Sequence, residues 1–267
     1  MFQITIPLLY IIAGLCFALS RLPRFQAGRL NMLRVAFVLS GAALAWHVMT
    51  LLRLVWVPGG FSLTLANAAS FVGMQLGFIA VFGAFEERLR GLAGGLMLLA
   101  ALTAAGTGSH AIAGPVESGW QLAAHVLISL FAYGLLAAGA IVALFGLVHE
   151  HRLRAGNLGS LNQLFAPLVY TERLLFGITA AGFASLLLGV LSGFLFVENL
   201  FAQHLVHKTV LSLIALLLFG VLLAGRVFAG WRGRTAVSLY LWGFGVLCLA
   251  YFGSRFVLES ILGRSWG

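Results

Sequence analysis

Long apolar runs, broken by short clusters of arginine, glycine and proline, recur along the chain at about residues 4–20, 35–56, 68–85, 91–107, 120–148, 174–197, 208–229 and 236–258. Most approach the roughly 20 residues that an α-helix needs to cross the hydrocarbon core of a bilayer. The pattern therefore predicts an all-α, polytopic membrane protein of about eight transmembrane helices. An even number of crossings puts both termini on the same side. The first run begins almost at Met1, with no basic leader and no small-residue cleavage site, so it is expected to be the first span and not a removable signal peptide. Spans and short connectors nearly consume the 267 residues, and the chain reads as a single transmembrane helical domain over 1–267.

The longest connector runs from His149 to Arg173. In it Leu158, Leu161, Leu164, Phe165 and Leu168 recur at helix-like spacing, which predicts an interfacial helix lying on the membrane surface. Gly91 with Gly95, and Gly189 with Gly193, have the Gly-x-x-x-Gly spacing that lets helices approach closely. Both pairs are expected to serve packing. No internal repeat stands out, so an inverted-repeat transporter gains no support from the pattern.

Composition sharpens this picture. The chain is 61% hydrophobic and 9% charged, with a mean hydropathy of +1.05, whereas a soluble domain would be about a quarter charged. Asp is absent, and the formal charge is +9. The excess is scattered between apolar runs, so it argues for membrane topology and not for nucleic acid. Arg21, Arg24, Arg29, Arg34, Arg88, Arg90, Arg152, Arg154, Arg173, Arg226, Arg232 and Arg234 fall in alternate connectors, against Arg53, Lys208, Arg255 and Arg264 opposite. The positive-inside rule makes the larger set cytoplasmic and puts both termini outside. Cys16 and Cys248 each sit in an apolar stretch and form no Cys-x-x-Cys pair, which argues against thiol–disulfide chemistry.

Ionisable side chains inside hydrocarbon are costly, and the histidines are the informative set. His47 lies about twelve residues into the second run, roughly 18 Å from its cytoplasmic start and in the outer half of the bilayer. His125 follows Trp120 by five residues, roughly 8 Å below the outer interface. His204 and His207 flank the outward start of the seventh run, and His110 falls in an outer loop. Five of seven histidines thus gather on one leaflet, while His149 and His151 are expected in a solvated cytoplasmic connector. Neutral imidazoles from different helices suit a low-dielectric haem pocket. A lone buried histidine can equally bond a neighbouring Ser, Thr or carbonyl, and that reading stays open for each. Zinc is the weaker alternative, because no His-Glu-x-x-His spacing and no acidic or cysteine ligand set is present. Arg53, Lys208 and Arg255 could neutralise haem propionates or simply snorkel to the interface. No Ser-His-acid constellation and no phosphate-cradling Gly-rich loop followed by Lys is assembled, which sets hydrolase and ATPase readings aside.

Four stretches carry a family resemblance. They are His47 with Leu51, Leu52, Arg53, Gly59 and Gly60; His125 with Val126, Ser129, Ala132 and Tyr133; His207 with Lys208, Thr209 and Ser212; and Gly230, Trp231, Arg232, Gly233 and Arg234 leading to Ala250, Tyr251, Phe252, Gly253 and Ser254. In this order and spacing the chain resembles the cytochrome c assembly superfamily of polytopic haem-handling proteins, in particular its smaller HemX/YpjD-like branch related to CcsA and ResC. The resemblance implies a helical bundle of the bacterial inner membrane that binds b-type haem and supports cytochrome c maturation or haem delivery. Its implied partners are haem, the lipid bilayer and other cytochrome c maturation proteins. By carry-over His47 is the intramembrane ligand and His125 an outward-facing one. A haem iron near the outer leaflet is expected to take some pair from His47, His125 and His207, with His204 as a substitute. Lyase-type members carry a tryptophan-rich outer segment, whereas the connector from Val197 to Lys208 here holds no Trp. Those members also carry a histidine near the end of the penultimate helix, where Ala224 and Gly225 stand in this chain. Both departures point to an accessory or transfer protein in place of a complete haem lyase. The competing functions are a membrane transporter or channel, and a structural scaffold of a membrane assembly complex without haem.

Overall fold

The computed structural model describes residues 2–57, 60–61, 64–107, 120–156, 159–196 and 206–253. Among them are eight α-helices: α1 (Phe2–Leu19), α2 (Arg29–Val55), α3 (Leu65–Ala84), α4 (Arg90–Ala105), α5 (Trp120–Arg154), α6 (Leu168–Phe196), α7 (Val206–Phe228) and α8 (Gly233–Cys248). Seven stretches are long and apolar enough to cross a membrane, and α1 contributes a shorter apolar helix. At 1.5 Å per residue the 18 residues of α1 still extend about 27 Å, close to the hydrocarbon thickness. The architecture is thus the all-α, polytopic membrane bundle that the apolar runs predict. One addition is a minimal antiparallel ribbon after α2, Trp56–Val57 against Gly60–Phe61.

The helices pack in two groups. In the first, α1 lies on α2 and α4, and α3 lies on α2 and α4; in the second, α5 lies on α6 and α8, and α7 bridges α6 and α8. The α3–α5 contact joins the two groups. Lipid offers no hydrophobic drive between helices, so close approach of small side chains has to supply it. Ala36, Ser40 and Ala43 on α2, and Ala93, Ala100 and Ala104 on α4, are accordingly buried, while Phe82, Leu102, Leu195 and Trp242 face outward. Gly94 comes so near α1 that a Cβ there would stand 2.8 Å from the Gly14 carbonyl oxygen. Hydroxyls then staple α5 to α8: Tyr240 donates to the Leu136 carbonyl and Tyr133 to that of Leu247, each at 2.8 Å. After Cys248 the chain continues as a π-helical segment, Leu249–Gly253.

At one end of the bundle the arginines collect. Arg226 pairs with Glu172 at 2.7 Å and also donates to the Trp231 carbonyl, fixing the α7–α8 turn to the start of α6. Gly230 and Gly233 in that turn have φ of +65° and +56°, the left-handed region that glycine enters without a Cβ clash. This stretch is explained as a turn with an aromatic anchor.

The connector between α5 and α6 differs from the sequence expectation. In place of an interfacial helix it forms a short 3-10 turn, Ser160–Leu164, and α6 begins at Leu168. Pro167 explains the break, since it disfavours helical backbone in the residue before it and is preorganised for a helix start. The turn is strapped across the helix ends instead. Arg21 donates to the Gln163 carbonyl at 2.9 Å, Arg152 to Asn162 Oδ1 at 3.1 Å, and Gly91 admits the Leu164 carbonyl. Phe165 turns inward and stacks on His149, with ring centroids 5.0 Å apart. His149 is therefore buried beneath the strap, in contrast to the solvated position expected for it, whereas His151 is exposed.

Candidate histidine site

His47 sits on α2 inside the first helix group and has no exposed surface. Its Nδ1 is 3.1 Å from the Tyr10 hydroxyl of α1, and its Nε2 is 2.7 Å from Ser70 Oγ of α3. Ser70 in turn makes a short contact to Thr107 Oγ1, just beyond α4. The buried Tyr10 hydroxyl has no other acceptor among the described residues, so it donates to Nδ1, and Nε2 carries the proton that is given to Ser70. Both ring nitrogens of His47 are thereby occupied.

His125 has a different environment. It lies on α5 and turns toward α6, where Gly193 leaves room for the ring: a Cβ there would be 3.1 Å from His125 Cε1. Ser192 Oγ donates to the Gly189 carbonyl at 2.8 Å. The same oxygen is 2.9 Å from His125 Nδ1, so it accepts a proton from that nitrogen. Nδ1 is then the protonated nitrogen, and Nε2 keeps its lone pair with no hydrogen-bond partner among the described residues. An imidazole anchored through one N–H with the other nitrogen open is the arrangement that metal-ligating histidines use. The ring is half-buried.

The two imidazoles thus occupy separate interfaces, His47 among α1, α2 and α3 and His125 between α5 and α6. An apolar groove of about 100 Å³ between α2, α3 and α5, lined by Leu51, Trp56, Phe71, Met74, Val126 and Leu130, includes neither of them in its walls. His207 is the second residue of α7, but its side chain lies outside the described residues, as do His204, His110 and Arg255 altogether. Lys208 places its Nζ 6.0 Å from the Tyr251 ring centroid, at the π-helical segment after α8. Tyr251 packs on Tyr133 at 5.8 Å, two helical turns along α5 from His125. Arg53 is exposed on the last turn of α2. Among the described residues no three His, Cys or Glu side chains gather as a metal-ion cage would require; a haem asks for only one or two axial donors.

Several of these partners escape a reading of the sequence alone. Tyr10 and Ser192 are 37 and 67 residues from the histidines they bond. The one available signal was Gly189 with Gly193, which marked a close approach on α6 but not the ring that fills it. Gln75 is another: its Nε2 donates to the Leu130 carbonyl at 3.0 Å across the α3–α5 seam, and its buried Oε1 has no partner among the described residues.

Comparison with known proteins adds an independent line. The family described as "Cytochrome C assembly protein" matches residues 35–262. "Inner membrane protein YpjD" of Escherichia coli strain K12 is 32% identical over 238 residues, which cover 85% of this chain and 88% of YpjD. A protein of Azospirillum brasilense described as "Uncharacterized 28.8 kDa protein in nifR3-like 5'region" is 31% identical over 141 residues, 52% of each chain. No solved structure matches.

Proposed function

This chain belongs to the cytochrome c assembly protein family, and from that premise we propose that it is an integral inner-membrane protein of cytochrome c maturation that holds b-type haem near the extracytoplasmic surface. The observation that carries the reading is His125, whose Nδ1 is anchored by Ser192 while Nε2 is open. A neutral imidazole of that kind can donate to haem iron at small desolvation cost. His125 is the principal axial ligand in this reading, and His207 at the start of α7, with His204 as its substitute, is the source of the second. His47 joins only when Tyr10 or Ser70 releases one of its nitrogens. Lys208 and Arg53, at the same end of the bundle, are suited to charge-assisted bonds with propionates. Haem is cargo here: the protein acts as an accessory or transfer component, because the connector from Val197 to Lys208 lacks tryptophan for presenting haem to an apocytochrome.

The test is an absorption spectrum of freshly purified protein in detergent, recorded oxidised and reduced. A Soret band is expected, weakened by His125→Ala. Ser192→Ala, which releases Nδ1, should lower haem affinity on the order of tenfold, as removal of a histidine's supporting bond does elsewhere. Protein that stays colourless after ferrous and ferric haem are supplied overturns the reading.

A further inference from the structure

The arginine-rich end holds a charge arrangement that haem binding does not use. Glu87, in the short turn between α3 and α4, is contacted by Arg21 at 3.0 Å and Arg29 at 2.5 Å. Arg90 lies within electrostatic reach of the same carboxylate. Three guanidiniums therefore share one acid, a surplus of two positive charges. Nearby Glu86 is the partner of Arg88 at 3.8 Å. Arg90 spends Nε on the Ala84 carbonyl at 3.2 Å, while its buried Nη1 has no hydrogen-bond partner among the described residues. Buried donors are nearly always satisfied, so this one calls for an acceptor.

The surface beside the cluster is apolar. Leu30, adjacent to Arg29, is 72% exposed; Phe85 and Phe82, at the end of α3, are 68% and 70% exposed, and Phe85 stacks on Phe37 at 4.9 Å. A soluble anion or an acidic protein loop makes no use of such flanks at the membrane boundary. A molecule with a phosphate head and hydrocarbon tails matches both, and basic pockets at helix ends are known to take such headgroups. We propose that Arg21, Arg29 and Arg90, organised by Glu87, form a binding site for the headgroup of an anionic phospholipid whose acyl chains lie over Leu30, Phe82 and Phe85.

In this site Glu87 plays two roles. It preorganises the guanidiniums, and it also competes with the lipid phosphate for them. Removing its charge should therefore tighten lipid binding, the opposite of what a purely structural ion pair predicts.

Native mass spectrometry of the detergent-solubilised full chain, titrated with phosphatidylglycerol, phosphatidylcholine or inorganic phosphate, tests this. Retention of phosphatidylglycerol in preference to phosphatidylcholine is expected. Arg29→Gln combined with Arg90→Gln should weaken it about thirtyfold, the effect of removing two cations near a lipid surface at roughly 1 kcal/mol each. Glu87→Gln should raise retention several-fold. Arg154→Gln, which removes one charge at the same end from the exposed pair with Glu150, should leave it unchanged. Equal retention of the two lipids, binding of inorganic phosphate alone, or an effect of Arg154→Gln as large as that of the double variant overturns the site. Should the double variant fail to fold, the sign of the Glu87→Gln effect decides: no gain in retention overturns it as well.

Discussion

Two histidines of the same type, both within helices, are given different chemistry by the hydroxyls around them. Tyr10 donates to the lone pair of His47 Nδ1, whereas Ser192 accepts a hydrogen bond from the N–H of His125 Nδ1. Under a reading led by His125, Tyr10→Phe should leave the Soret band unchanged, at a cost of about 1 kcal/mol for one lost hydrogen bond. A band that grows in Tyr10→Phe, or that vanishes in His47→Ala but survives His125→Ala, would move the iron to His47. Glu87 is likewise tuned by its neighbours. The Arg29 hydrogen bond, reinforced by the charges of Arg21 and Arg90, holds its carboxyl below the usual range. A lowered acid contributes stability that is present above its unfolded pKa of about 4.3. That contribution is lost as pH falls through the lower folded value. The native chain should then melt higher than Glu87→Gln near pH 6, by a small margin because the pair is partly exposed. The gap should begin to narrow below about pH 4 and keep narrowing as the pH falls further. A gap that does not change with pH would assign the effect of the substitution to packing.

Helix identity was legible because apolar runs and arginine breaks are local signals, and the eight runs coincide with α1 to α8 apart from shifted ends. The ends shifted where the signal was tertiary. Helix α5 runs six residues beyond its apolar run, to Arg154, because Arg152 and His149 are held there by the strap from Gly159 to Pro167. The leucine periodicity of that strap imitated a surface helix, and a single residue, Pro167, divided it. The contacts between elements were the least readable, since they depend on which small residue meets which large one. Gly139 of α5 is such a case: a Cβ there would run into the Tyr240 hydroxyl and stand 2.6 Å from its Cζ. Tyr240 is fully buried and cannot swing away without abandoning the Leu136 carbonyl. Gly139→Ala should therefore destabilise the bundle by about 1–3 kcal/mol, the usual cost of overpacking. Tyr240→Phe, which loses only the hydrogen bond, should cost about 1 kcal/mol. Unfolding in detergent, followed by helical circular dichroism, ranks the two variants, and the reverse order would mean that α5 and α8 can separate freely.

At the scale of the molecule, the two helix groups meet along α3 and α5, and the bundle is polarised along its axis. One end gathers Arg21, Arg29, Arg154 and Arg226, paired with Glu87, Glu150 and Glu172, together with Arg90, bonded to the Ala84 carbonyl, and Arg152, bonded to Asn162. The other carries Trp120 packed on Phe196, the open face of His125 and the Lys208–Tyr251 contact. Cationic connectors tend to be retained on the cytoplasmic side, and from this polarity we propose that the arginine end faces the cytoplasm and the histidine end, with the first helix's amino end, faces outward. Single-cysteine labelling tests that orientation directly. In a background with Cys16→Ser and Cys248→Ser, Arg53→Cys should react with a membrane-impermeant thiol reagent once the outer membrane is opened. Arg154→Cys, exposed at the opposite end, should react only after the inner membrane is breached. Reversed labelling would point His125 toward the cytoplasm, where it would be on the wrong side to pass haem to an extracytoplasmic cytochrome. The proposed direction of transfer would then fail even with every local hydrogen bond around the imidazole intact.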